Sequence, residues 1–286
     1  MDNAFGGCMA GSRHVCLIAA FAEGFAAMSC ETPSLADDRV SARQEQVCGG
    51  DEIARGNVGK ILDGRTFALE DGREVRLAAI EVAPLAGPQD RAGPAGRAAA
   101  AALGALAAGD QVVLRRAESG SDRYGRLLAF AYTLRDGDEF LLQRELVAEG
   151  LARVSTRIAG PCSGHLLDRE KAAREAKLGL WAEPYYEVLN AEAPKDALAY
   201  RFALIEGKVA SVRESGPTIY VNFGRRRIGD ITVTIRKRNE RSFAAAGLDL
   251  PSLAGRRIRV RGWLEARGGD RAWIEADRPE QIEMAD

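Results

Sequence analysis

The sequence predicts a mainly β protein with helices, built as two small β-barrels in series. Three observations carry this. Residues 57–80 alternate aliphatic or β-branched side chains with polar ones and are broken by Asp63-Gly64 and Asp71-Gly72, so they read as three strands joined by tight turns. Over residues 55–182 the predicted elements run β-β-β-α-β-β-α-α. Beyond residue 200 a second run of strands returns, with a short helix between its third and fourth members.

Residues 1–54 read as a leader, a possible signal peptide, followed by a flexible segment. The apolar run Val15-Cys16-Leu17-Ile18-Ala19-Ala20-Phe21-Ala22 follows Arg13 and His14, a partial match to an export signal that an initiator at Met9 would improve. The expected location is therefore exported or periplasmic, against a cytoplasmic protein with a disordered tail. The run falls short of the ~20 apolar residues of a membrane span. After the three strands comes a loop at 87–93, then a helix opened by Pro94 and closed by Gly109. Residues 111–116 and 126–134 read as strands around a loop at 119–125, residues 140–149 as a helix stopped by Gly150, and 151–155 as an extended piece. Residues 164–179 read as an amphipathic helix, with Leu166, Leu167, Ala173 and Leu178 on one face and Arg169 and Glu170 on the charged one. Five strands and helices in this order fit the OB-fold. Residues 183–200 read as a linker. Strands at 202–213, 218–223, 229–237, 256–264 and 271–276, with a helix at 243–248, give residues 201–286 an OB-like order again, with Gly207, Gly224 and Gly262 at the bends.

Net charge is −1, which offers no global field for nucleic acid. Charge is unevenly spread: −5 over 1–54, +2 over 55–182, −3 over 183–200 and +5 over 201–286. The five cysteines include no Cys-x-x-Cys pair, and the only histidines are His14 and His165, so a zinc site is not expected. No Walker loop or Ser-His-Asp arrangement is present.

The chemistry lies in four segments: Asp63-Gly64-Arg65-Thr66, Arg76-Leu77-Ala78-Ala79-Ile80-Glu81, Asp122-Arg123-Tyr124-Gly125-Arg126, and Glu175-Ala176-Lys177-Leu178-Gly179-Leu180-Trp181. Together and in this order they resemble the staphylococcal nuclease (thermonuclease) family over about 125 residues. The resemblance implies an OB-fold nuclease in which a calcium ion, two aspartates, a glutamate base and two arginines cleave a phosphodiester. Carried over, Arg76 and Arg126 are the catalytic, phosphate-clamping arginines, suited to it by their planar forks. Glu81 stands where the strand-ending aspartate is expected, and Asp63 and Glu81 are what remains of the calcium ligands. Tyr124, beside Arg126, is implied to line the phosphate site or else to pack its loop onto the barrel. Asp122 is read as a turn cap.

The departures are specific. Arg65 occupies the position of the principal metal-binding aspartate, and Pro84 or Leu85 that of the general base, with Asp90 the nearest acidic substitute. Arg65 is expected to pair with Glu81 or Asp63 and to join Arg76 and Arg126 in binding phosphate. Three functions follow. The first is a nuclease-family protein that binds nucleic acid, a nucleotide or another anionic ligand with lost or altered hydrolysis. The second is an active phosphodiesterase with changed metal use. The third is an exported scaffold or interaction protein.

Cys48 and Cys162, outside the leader, form a disulfide if the protein is exported and remain two thiols otherwise. His165 reads as a surface residue at a helix start. In the second barrel, Arg225-Arg226-Arg227 and Arg236-Lys237-Arg238 lie near Tyr220 and Phe223. They read either as a single-strand-binding surface or as a solvated face with Tyr220 and Phe223 alternating into the core. Trp263 and Trp273 read as core or barrel-mouth packing.

Overall fold

The computed structural model describes residues 48–85, 93–109, 111–135, 137–155, 162–191, 200–224, 231–266 and 272–285. The leader reading, Asp90, the loop at 87–92 and the Arg225-Arg226-Arg227 run lie outside them. The chain is mainly β. Its first strands are β1 (Glu52–Asp63), β2 (Thr66–Leu69), β3 (Glu74–Leu77) and β4 (Ile80–Val82), followed by helix α1 (Gly93–Ala107). Next come β5 (Gln111–Ser121), β6 (Leu127–Arg135), β7 (Asp138–Leu141), α2 (Leu142–Ala148), β8 (Ala152–Val154) and α3 (Ser163–Glu175). β1 pairs antiparallel with both β2 and β5, and β3 pairs antiparallel with β2 and parallel with β6, so five strands return on themselves. This cyclic order fits an OB-fold. Phe67, Val75, Val113, Leu114, Phe130 and Leu146 fill its core.

Past two 3-10 turns (Gly179–Ala182 and Pro184–Tyr186) come β9 (Leu189–Asn190), β10 (Arg201–Lys208), β11 (Ser211–Ser215), β12 (Thr218–Asn222) and β13 (Ile231–Arg236). Helix α4 (Glu240–Ala245) and strands β14 (Arg257–Ala266), β15 (Ala272–Glu275) and β16 (Ile282–Met284) complete the chain. β10 and β11 flank Val209-Ala210 and pair with β14 and β12 respectively. β12 pairs with β13, β13 parallel with β15, and β15 with β14. The second sheet thus follows the same cycle of pairings as the first, over its own core of Val221, Val233, Ile235, Phe243 and Ile274. No helix among the described residues is long and apolar enough to cross a membrane.

Several local expectations change. Residues 138–141 extend as β7 before α2 begins, because Tyr132 to Arg135 of β6 pair with them. The stretch 184–191, within the segment read as a linker, is built into the structure: Tyr186 and Ala191 are buried, and β9 pairs parallel with β10. On α3, Glu170 is fully buried on the inward face, whereas Leu178 lies beyond the helix and is exposed. The inward position of Glu170 is explained by its partners: it accepts the Val154 N–H at 2.7 Å and binds Arg261 of β14 at 2.6 Å.

Tyr220 is not in the core. Ile219, Val221 and Phe223 point inward, and period-two alternation turns Tyr220 outward onto Trp273, edge to face with ring centroids 5.8 Å apart. Trp263 stacks under the exposed ring of Tyr200 at 5.0 Å. Cys48 and Cys162 are both buried and lie against each other. The hydrogen bond with Cys48, and then burial, push the Cys162 thiol up. Tyr132 Oη accepts the Cys48 N–H at 2.7 Å and donates to its carbonyl at 2.9 Å, pinning this segment to β6.

Candidate functional site

The site starts at the β1–β2 turn. Asp63 faces Thr66 across a two-residue connection, Gly64-Arg65. Asp63 Oδ1 accepts the Arg65 N–H at 2.8 Å, the self-bonding that suits aspartate to turns. A Cβ at Gly64 would lie 2.5 Å from the Ala99 Cβ, so the turn rests directly on α1. The Leu77 N–H donates to the Arg65 carbonyl at 2.8 Å, which ties the turn to β3.

Two devices aim the next residues. Ala79 takes a left-handed conformation (φ 65°) and swings the chain out of the first sheet, so that β4 pairs with β8, placing Glu81 opposite Arg153. Gln143, fully buried on α2, holds that bend: its Nε2 donates to the carbonyls of Ala129 (2.9 Å) and Ala78 (3.4 Å), and its Oε1 accepts the Ala131 N–H (3.2 Å). Gln143 escaped the sequence reading, although its place among Leu142, Leu146 and Val147 on one helix face was the available signal.

Asp63, Arg65, Arg76, Glu81 and Arg126 are brought together. The Arg65 guanidinium donates to the Ile80 carbonyl at 3.0 Å and forms an ion pair with Glu81, both side chains being largely shielded. Arg126 is gripped by Asp122, whose Oδ2 accepts from Nε at 2.7 Å. Asp122 Oδ1 accepts the N–H groups of Tyr124 and Arg126, so this residue caps the turn as expected. Burial opposes the Asp122 carboxylate, but the bonds from Arg126 and Tyr124 outweigh it and hold its pKa below the usual value.

Arg76, in β3 between Thr66 and Leu128, is half-buried and makes no ion pair among the described residues. Burial, then the positive charge of Arg65, pull its pKa below the ordinary arginine value, with Arg126 adding to this and Glu81 and Asp63 opposing it. Tyr124 is not packed onto the sheet: the residue is 69% exposed, with the guanidinium carbons of Arg123 and Arg126 at 4.9 and 5.2 Å from its ring centroid.

The oxygen donors of the described residues, as placed, do not fit calcium. Such an ion takes about six to eight oxygens. Here Glu81 is committed to Arg65, and no group of three or more His, Cys, Asp or Glu residues is arranged around a metal position among the described residues. Pro84 and Leu85, which the sequence comparison reads at the base position, are exposed and carry no titratable group. Their backbone lies against α1, where a Cβ on Gly96 would come within 2.2 Å of the Pro84 carbonyl oxygen.

A family model described as staphylococcal nuclease homologue matches residues 74–183, which begin at β3 and take in Arg76, Glu81, Tyr124 and Arg126. The micrococcal nuclease of Shigella flexneri is 33% identical over 148 residues, covering 49% of this chain and 78% of that protein. A relative matched at that level over most of its own length settles what the arginine cluster and the returning strands had indicated: this chain belongs to the staphylococcal nuclease family.

Proposed function

We propose that this nuclease-family domain binds a phosphate group of a nucleic acid or nucleotide at Arg65, Arg76 and Arg126, and that calcium-dependent hydrolysis is lost. One observation carries the reading: Arg65 sits on Glu81 where family members hold an ion, while Arg76 stands beside it half-buried with no anionic partner among the described residues. A half-buried guanidinium with no carboxylate partner among the described residues is favourably placed to meet a phosphate oxygen. Arg126 is already oriented by Asp122, and the exposed Tyr124 ring offers a face for a base. Hydrolysis needs a group to take a proton from water, and Pro84 and Leu85 have none.

The test is incubation of the protein with single- and double-stranded DNA and RNA in calcium, magnesium or EDTA, alongside titration with a nucleoside 3′,5′-bisphosphate. Binding without cleavage is expected, with affinity falling about tenfold or more in Arg76→Ala. Calcium-dependent cleavage would instead make the protein an active phosphodiesterase. Absence of nucleotide binding would favour the scaffold reading. The double variant Arg65→Asp/Pro84→Glu is expected to gain calcium binding that the parent lacks.

A further inference from the structure

Behind Glu81, on the same face of the β4–β8 ribbon, lies a second cationic cluster. Arg153 is 6% exposed. Its guanidinium is sandwiched between the rings of Tyr186 and Phe202, with the guanidinium carbon 5.1 Å from each centroid. Among the described residues its Nε has no hydrogen-bond partner, and neither has the hydroxyl of Tyr186, a residue only 3% exposed. Arg201, at the start of β10, lies over the Tyr185 ring at 4.6 Å and donates one Nη to the Tyr185 carbonyl at 2.8 Å, while its own buried Nε is unpartnered. The Tyr185 and Tyr186 rings meet edge to face at 4.9 Å, which joins the two arginines into one cluster.

The charges do not balance within it. Neither arginine has a carboxylate partner among the described residues. Glu81 is committed to Arg65 and Glu170 to Arg261. Burial lowers the Arg153 pKa to about 10, with Tyr186, Glu170 and Glu81 opposing and Arg201 adding to the decrease. Guanidinium nitrogens only donate, so the two arginines cannot satisfy each other. Buried donors without acceptors are costly and uncommon, and this gathering of them among the described residues offers a place for an acceptor.

We propose that Arg153, Tyr186 and Arg201 form a second binding site, for a small oxyanion. It is separate from the Arg76 site and does not depend on the proposed function there. An entering anion takes hydrogen bonds from the two Nε–H groups and the Tyr186 hydroxyl. It reaches them past Tyr185 and Arg201, the more exposed members of the cluster.

The test titrates the full chain with inorganic phosphate, sulfate and acetate in separate calorimetric runs, using the Arg76→Ala/Arg126→Ala background to remove the first site. At least one anion is expected to bind there at one equivalent. Tyr186→Phe, which keeps the ring over Arg153 and removes only the hydroxyl, is expected to weaken that binding about fivefold, and Arg201→Ala about tenfold. The anion that binds most tightly identifies the chemistry, phosphate-like or carboxylate. The proposal is overturned if none of the three binds in the background variant, or if binding is unchanged by both Tyr186→Phe and Arg201→Ala.

Discussion

The buried ion pair between Glu170 and Arg261 joins the nuclease fold to the second sheet, and its removal tests that joint. Glu170 side-chain exposure is 0% and that of Arg261 is 1%. Glu170 accepts from the Val154 N–H and from Arg261, and Arg261 also donates to the Val154 carbonyl at 3.2 Å and to Glu283. Burial alone would favour losing the Arg261 proton, yet Glu170 and Glu283 hold its pKa above the ordinary value. Breaking a buried pair from one side costs about 3–5 kcal/mol, because the surviving charge stays out of water. Glu170→Gln leaves Arg261 with Glu283, so its cost should fall near the low end, about 3 kcal/mol. Arg261→Met leaves Glu170 with Arg174 at 3.6 Å as its nearest cation and should cost more, about 4 kcal/mol. The double variant Glu170→Leu/Arg261→Met removes both charges and leaves chiefly the Val154 N–H and carbonyl without these side-chain partners, a loss of about 1–2 kcal/mol. Urea unfolding followed by circular dichroism measures all three, and the single variants should also lower Tm by about 6–12 °C. Single-variant losses below about 1 kcal/mol, or a double variant as unstable as the singles, would refute the reasoning.

Acid should weaken the same joint. The Glu283 pKa lies below its reference of 4.5, burial being outweighed by Arg261, Arg174 and Arg259. A carboxyl depressed in the folded state contributes stability above its unfolded pKa and loses it as pH falls through the folded one, so urea midpoints should hold above pH 4.5 and decline below it; a flat profile down to about pH 3 would contradict this. Gly64→Ala should cost about 1–3 kcal/mol, since the new methyl meets Ala99 and must push the turn off α1; thermal denaturation reads it, and a neutral effect would mean that the turn is not seated there. Gln143→Leu removes the buried amide holding Ala78, Ala129 and Ala131 and should lose about 1–3 kcal/mol, together with weaker nucleotide binding through the displaced Glu81–Arg65 pair.

What was legible in the sequence was local. Asp63-Gly64 specifies its own turn, and Arg126 is held by Asp122 four residues before it, whereas Arg76 is placed by pairing with Thr66 and with the distant Leu128. Strand alternation also separates two of the aromatics: Tyr220 and Phe223 are three apart and cannot share a face of a regular strand. The partners that decide the rest lie far away in the chain. Glu81 meets Arg153 through two three-residue strands that no periodicity argument separates from loop. Glu170 looked like a solvated helix charge because Arg261, which makes its burial tolerable, lies 91 residues away. Single-sequence patterns show which face a residue takes, not which opposite charge will be waiting there.

The Arg65–Glu81 pair sets how strongly calcium can compete under the proposed reading. If Arg65 stays in place, a guanidinium ~5 Å from a dication at an effective dielectric of ~20 costs roughly 7 kcal/mol. That nearly cancels the ~8 kcal/mol of a micromolar site. If Arg65 swings out, it gives up its bonds to Glu81 and the Ile80 carbonyl, about 1.5–3 kcal/mol each for charge-assisted bonds. The cheaper route still costs about 3 kcal/mol or more, a loss of at least two orders of magnitude in affinity. A phosphodiester meets no such barrier. Arg65 and Arg126 are already matched by Glu81 and Asp122, and Arg76 is left as the cation toward which a single negative charge is drawn. The substitution of Arg65 for an acid therefore disfavours the ion far more than the phosphate, and Arg65→Asp alone should raise calcium affinity even where cleavage does not return.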